Sequence, residues 1–251
     1  MIEAVANLSE WYFEKFATDE SSTEGLFEDY DHPNTRVTHM TVDHELPMTF
    51  WRSVGHSYTA FAKESMIDEM AEAAGMDEVA FRLQNTQSTP RLNNVIRVAG
   101  EHMAKMNPPE SHHLGFAAHH SFYTDVAEIA EVSVENGKIR VHKVTCVLDC
   151  GQAVNPDIVR SQIEGGVIYG LTATLYGGLN LERGAIKESN FHDYPMLRMN
   201  ESPEIEVVII DSGTKPTGVG EPGLPPIAPA VANAVFKATG QRLRSLPLKL
   251  V

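Results

Sequence analysis

A lone carboxylate in a loop rich in glycine and proline is a candidate for moving a proton. Between Thr214 and Pro226 the chain carries three glycines and four prolines, and its only acidic residue is Glu221, set between Gly220 and Pro222. Glycine and proline are ordinary turn formers, so a surface turn is one reading of the loop. The other reading comes from the next segment of the chain. Pro226-Ile-Ala-Pro-Ala-Val-Ala-Asn-Ala-Val-Phe236 has almost no polar face, so the helix starting near Ile227 is expected to be buried and to draw its entry loop inward. Glu221 would then sit in low-dielectric surroundings near a positive helix end, where its basicity can be set for proton abstraction.

The other chemistry-bearing residues point to less. His112-His113 and His119-His120 are adjacent pairs; on a strand, neighbours face opposite ways, so each pair is a poor chelate for zinc. Cys146 and Cys150 are the only cysteines. Four residues apart in an extended run, they share a face but lie too far apart to bridge easily, and two thiolates cannot hold an iron–sulfur cluster. Two buried thiols are expected.

The elements that must position Glu221 can be read from the residue pattern. A first helical pattern runs over Ile2–Phe16, and "ATDESSTEGLFEDYDHP" after it reads as a solvated connector, so residues 1–33 form an acidic N-terminal unit and 34–251 the main domain. "TRVTHMTVD" (35–43) alternates as a strand does, and "WRSVGHS" interrupts it before a helix. Ser57 can cap that helix, with Phe61, Met66, Ile67, Met70 and Ala74 on its apolar face, the acidic and Lys residues opposite, and Gly75 ending it. A short helix is predicted from Asp77 to Leu83 and another from about Arg91 to Met106. "VAEIAEVSV" and "IRVHKVTCVLDCG" flank Asn136-Gly137, a pair suited to a hairpin turn with two positive φ angles. The helical pattern from Asp157 to Tyr176 holds Gly165, Gly166 and Gly170, which weaken a helix unless another backbone or a ligand comes close. A strand at 205–210 and the final apolar helix complete a mixed α/β reading.

At 251 residues and 42% hydrophobic, the chain can bury one large core or two modest ones. A net charge of −14 and a pI near 5.2 argue against nucleic-acid or anionic-membrane binding, because no basic stripe exists. No window reaches membrane-spanning length, so no membrane insertion is expected, and the acidic start "MIEAVANLSEWYFEKF" is unlike a secretory signal. Small molecules or protein partners remain.

Taken in order, "FWRSVGHS", "FAKESMIDEMA", "VAEIAEVSV", "DCGQAVNPDIVRSQIEGGVIYG", "SNFHDYPMLRMNE" and "GVGEPGLPPIAPAVANAVFKATGQRLRSLP" resemble the molybdopterin-binding subunit of the xanthine dehydrogenase/aldehyde oxidase family. The resemblance is nearest to its isoquinoline 1-oxidoreductase β-subunit branch, and it covers the chain from about Asn34 to Pro247. It implies an α+β fold with mixed sheets and packed helices, the C-terminal portion of the molybdopterin-binding domain. It also implies a molybdenum ion held by a pterin dithiolene, in cytosine dinucleotide form in bacterial members, with no protein atom on the metal.

By the same resemblance Glu221 is the base that takes a proton from water activated at the metal. Arg52, Ser53, Val54 and Gly55 form a turn lining the cofactor site, Gln162 is a pterin-contacting amide, and Gly220 belongs to the base's loop. Electrons would pass to a separate two-cluster iron–sulfur subunit, and the substrate would be an aldehyde or an N-heterocycle. Related chains are much longer, and the Gly-Gln-Gly cofactor motif they carry upstream is not found in this sequence. His120 and Asp125 also depart from the family pattern. The chain is therefore expected to be the C-terminal part of such a subunit, needing the N-terminal half as partner. Two other readings stand beside it: a catalytically silent half-subunit that only completes a cofactor pocket, and a cofactor-free hydrolase pairing Glu221 with His192 or Asp193.

Overall fold

Strand alternation and one Asn-Gly turn build the centre of the molecule. The computed structural model describes residues 20–26, 29–40 and 50–250. Strands β1 (His113–Ser121), β2 (Thr124–Glu135) and β3 (Lys138–Asp149) run antiparallel, and β6 (Glu204–Ile210) adds parallel to β3, giving the order β1-β2-β3-β6. Asn136 and Gly137 take φ of 52° and 73°, the mirror-image turn whose twist matches that of paired strands. The parallel step from β3 to β6 is the crossover that carries α4 (Pro156–Leu175) and a small hairpin, β4 (Leu181–Glu182) with β5 (Ala185–Ile186).

Helices cover both sheet faces, as an α+β sheet with two apolar faces requires. On one face lies α5 (Ile227–Thr239), packed on β1 and β2, with α4 and α1 (His56–Ala73) beside it; on the other lies α3 (Pro90–Met103), with α2 (Glu78–Gln84) against it. Ile227, Val231 and Val235 are fully buried, as the missing polar face demanded; burying each such side chain is worth roughly 1.5–3 kcal/mol. Gly115 lets α5 lie directly on β1, since a Cβ there would stand 2.1 Å from the Ala230 carbonyl oxygen.

Local signals held in several places. Asp77 caps α2 by accepting from the Val79 and Ala80 amides at 3.0 and 2.9 Å, and Gly75, at φ 64°, follows the end of α1. Gly166 faces the backbone of Gly223, which a Cβ would meet at 3.2 Å, and Gly170 makes room for the Ile227 side chain, which a Cβ would meet at 2.5 Å.

Other expectations fail for reasons of long-range pairing. Ser57 lies inside α1 and donates to the Val54 carbonyl oxygen, so it does not cap the helix. Met66, Met70 and Ala74 are exposed, whereas Lys63, Glu64 and Asp68 are buried, because their charges are matched by Asp29, Arg82 and Arg242 from distant segments. The connector is not solvated where it is described: Ser21, Ser22, Asp29 and Tyr30 are buried against α1 and α2, the Tyr30 hydroxyl donating to Glu64 at 2.6 Å. Residues 35–40 form no strand, since no neighbouring edge pairs with them; residues 41–43 and the pattern at 2–16 lie outside the described residues. No described helix is long and apolar enough to cross a membrane.

One buried carboxyl has a measurable consequence. Glu128 on β2 stands opposite Cys146 on β3 and is fully buried. Burial pushes its carboxyl well above the usual value of 4.5, and the Cys146 thiol is pushed up by the same cause. The folded protein holds the Glu128 proton while the unfolded chain releases it, so stability drains away as pH rises from that usual value towards the folded one. Glu128→Gln should therefore be more stable than the parent, with the gap in urea melts widening as pH rises above the usual carboxyl value of 4.5. A gap independent of pH would contradict the assignment.

Candidate functional site

Three segments far apart in sequence meet at Glu221. The turn entering α1 supplies the first: Ser53 and Val54 both adopt left-handed φ, 73° and 49°. Such angles cost about 1–3 kcal/mol each in non-glycine residues, and for a β-branched valine they persist only where the surroundings fix them. The left-handed kink aims the Ser53 amide at the Glu221 carboxylate, donating to Oε1 at 2.9 Å, while the Ser53 hydroxyl donates to the Glu221 carbonyl oxygen at 2.8 Å. Two bonds thus join residues 168 positions apart.

Arg52 ties in the second and third segments. Its Nε donates to the Gly220 carbonyl oxygen at 2.8 Å, and Nη2 reaches Gly220 as well as the backbone and side-chain oxygens of Gln162, at 3.2 and 3.4 Å. Gln162 lies on the exposed side of α4 in its second turn, one residue before the buried Ile163. Gly165 comes three residues later, and a Cβ there would meet only Arg52 Nη1, at 3.9 Å. Trp51, 39% exposed, packs on Tyr169 with ring centroids 4.9 Å apart, and the Arg52 guanidinium lies 6.0 Å from the Tyr169 ring.

The structure therefore brings Arg52, Ser53, Gln162, Gly220 and Glu221 together, with Val54 shaping the turn. Three details correct the sequence reading. Glu221 is half-buried, and the N–H that meets its carboxylate comes from the turn before α1 rather than from α5, because Pro222–Pro226 fold back and fill the space before Ile227. The Ser53 and Val54 amides are not free, since Val54 donates to the Trp51 carbonyl oxygen at 2.9 Å. Gly55 is buried, and its lack of a Cβ is explained by Ser21, whose carbonyl oxygen would lie 1.9 Å from one.

Other sequence candidates lie elsewhere. Asp193 accepts from the Ser189 and Asn190 amides in its own exposed turn, which holds its carboxyl down at about 2. His192 stands 3.5 Å from Asp193 and makes no described contact with Glu221, so the hydrolase pairing finds no support. His120 is paired with Asp125 at 2.7 Å and His112 with Glu131 at 2.6 Å. Both cysteines are free and buried.

Sequence reasoning missed the clamp that sets the 214–221 loop. Phe122 and Tyr123 join β1 to β2 in a two-residue turn with φ of 52° and 62°. The Phe122 carbonyl accepts from the Gly218 amide at 3.3 Å, and the Thr124 hydroxyl donates to the Gly218 carbonyl oxygen at 2.7 Å. No Asn or Gly marks this turn, so nothing local announced it. A cavity of 250 Å³ lined by Cys150, Asn155, Ile158, Pro216, Thr217 and Val219 borders the same loop. A groove of 810 Å³ between the β2–β3 turn and Leu248–Leu250 shares no residue with the cluster.

Comparison with known proteins matches the same segments. Two models described as a molybdopterin cofactor-binding domain match residues 6–86 and 49–203. The chain is similar to the β-subunit of isoquinoline 1-oxidoreductase from Brevundimonas diminuta, 35% identical over 98% of this chain and 32% of that one. It is also similar to a nicotinate dehydrogenase chain of Pseudomonas putida, 32% identical over 87% of this chain and 20% of that one. The chain thus spans a third or less of the length of these relatives. In fold it resembles quinoline 2-oxidoreductase from Pseudomonas putida 86, with a TM-score of 0.68 at 12% identity, covering 77% of this chain and 50% of that one. With the cofactor-domain model matched over residues 49–203, more than half of its length, this chain belongs to the molybdopterin-binding domains of the xanthine dehydrogenase/aldehyde oxidase family.

Proposed function

We propose that this chain is the C-terminal part of a molybdenum hydroxylase subunit, that Glu221 is its general base, and that the substrate is an aldehyde or an N-heterocyclic aromatic compound. Residues 34–251 are the cofactor-binding portion and residues 1–33 belong to a longer subunit. The observation that carries this reading is the bond from the Ser53 amide to Glu221 Oε1, made beside the Arg52 clamp on Gly220 and Gln162.

The residues present suit a pterin cofactor. Arg52 Nη1 and the Gln162 amide nitrogen have no partner among the described residues, and the exposed Gly165 leaves open space beside Arg52, where a Cβ would meet only Nη1, at 3.9 Å. A guanidinium and an amide donor are what the carbonyl and phosphate groups of a pterin dinucleotide require. When bound, the molybdenum cofactor supplies a two-electron acceptor and activates water. Arg52 and Gln162 would hold its polar groups, and its form would be the cytosine dinucleotide. The Ser53 amide fixes Oε1 of Glu221 and leaves Oε2 as the atom that takes the proton. Electrons would pass to a separate iron–sulfur subunit; the two buried cysteines of this chain are too few to ligate a cluster by themselves. The rest of the pocket comes from the N-terminal half of the relatives' length.

Metal content tests this division of labour. Purified without a partner, the chain should hold far less than one molybdenum per molecule; stoichiometric molybdenum in such a preparation would overturn the half-pocket account. In the assembled enzyme, Gln162→Ala should lower molybdenum content and lower activity in proportion, leaving activity per metal unchanged. That is the signature of a residue that positions rather than reacts. An unchanged metal content with reduced activity would remove Gln162 from the cofactor site.

A further inference from the structure

The left-handed Ser53–Val54 turn needs an anchor, and His56, two residues beyond it, has one. His56, the first residue of α1, is buried; its Nδ1 lies 2.9 Å from Nε2 of His119 on β1, a fully buried histidine. The other His119 nitrogen, Nδ1, faces Asp29 Oδ2 at 3.4 Å, and Asp29 is paired with Lys63, whose ammonium also donates to the Gly25 carbonyl oxygen at 2.7 Å. Glu24 stands 3.7 Å from His56 Nε2, and the Phe122 ring lies 5.4 Å from the His56 ring. Only the His56–His119 contact is a hydrogen bond; Glu24 and Asp29 stand at ion-pair distance at its two ends, and His119 Nδ1 makes no hydrogen bond among the described residues.

Packing leaves this pair no slack. Gly25 sits at φ 79° against both imidazoles, and a Cβ there would come within 2.6 Å of His119 and 2.7 Å of His56. Burial holds His56 down at about 4 and His119 well below the ordinary imidazole range. Both rings are thus neutral near neutral pH, and one can donate to the other without placing charge in the core. The same ring of Phe122 that touches His56 belongs to the turn whose carbonyl holds Gly218, so the two halves of the Glu221 site share this support.

We propose that His119, acting through His56, is the positioning residue that keeps the Ser53–Val54 turn in its left-handed form and so fixes the Glu221 carboxylate. The inference rests on the reading of Glu221 as the functional group, but its test needs no turnover. The probe is the Ser53 backbone amide in the uniformly ¹⁵N-labelled 251-residue chain, followed by NMR through the titration of Glu221. In the parent the Ser53 amide follows that titration, and Glu221→Gln abolishes the response. In His119→Leu the response is lost while the amides flanking Asn136-Gly137 keep their parent positions, and His119→Gln, which retains a hydrogen-bonding group, restores it. His56→Phe, which keeps a ring against Phe122, loses the response as well. A His119→Leu or His56→Phe protein that melts earlier yet keeps the Ser53 response would overturn the proposal, leaving an ordinary core histidine. If both variants fail to fold, the proposal also falls, because the pair would then serve the whole core rather than the turn. Loss of the Glu221 base assignment in turnover assays would leave the NMR result untouched, so the two failures are distinguishable.

Discussion

Glu64→Leu should cost about 3–5 kcal/mol of folding stability, the penalty for stranding a buried charge. The Glu64 carboxylate is fully buried and accepts from the Tyr30 hydroxyl at 2.6 Å, Arg82 Nε at 2.9 Å and the Ala118 amide at 2.9 Å. Its backbone carbonyl takes Arg82 Nη2 as well, at 3.1 Å. Arg82 is equally buried, against the Phe116 ring, and the next carboxylate, Asp68, is 3.9 Å away. Removing the Glu64 carboxylate leaves Arg82 Nε, the Tyr30 hydroxyl and the Ala118 amide without their acceptor and the buried guanidinium without its counter-charge at 2.9 Å, and a leucine side chain replaces none of these. The double variant Glu64→Leu/Arg82→Leu should lose clearly less than the sum of the two single losses, because neither charge is then stranded. Urea unfolding at neutral pH measures all three. A Glu64→Leu loss below about 1 kcal/mol would mean that the pair behaves as a surface salt bridge does.

That buried pair also shows where sequence reading stops. Elements announced by their own residues were legible: the Asn136-Gly137 hairpin, the Asp77 cap, and α5, whose lack of a polar face placed Glu221 beside the core. On α1 the pattern misled, because Lys63, Glu64 and Asp68 look like a solvated face until Asp29, Arg82 and Arg242 arrive from 34, 18 and 174 residues away. The site divides in the same way. Glu221, Arg52 and Gln162 could be picked out by type and resemblance, but the Ser53 amide that holds Glu221 could not. Nothing in "RSVG" says that a serine and a valine will take left-handed angles. The Phe122-Tyr123 turn was hidden for the same reason: strain imposed by distant packing leaves no local residue preference to read.

Glu221→Gln is the second large effect expected, and it falls on chemistry rather than stability. Glutamine keeps an oxygen to accept from the Ser53 amide at the same position, so the clamp of Arg52 on Gly220 and Gln162 should survive unchanged. What glutamine cannot do is take a proton at the second oxygen position. Loss of a general base typically costs about 10²–10⁴-fold in rate. Cofactor binding, which the proposed function assigns to Arg52 and Gln162, should be nearly unaffected. The pairing of lost turnover with retained metal separates a base from a residue that merely shapes the pocket. Turnover per bound molybdenum, measured for parent and Glu221→Gln in the assembled enzyme, is the direct test. If Glu221 is the base, turnover falls about 10²-fold or more at equal molybdenum content; near-normal turnover per molybdenum would contradict that role.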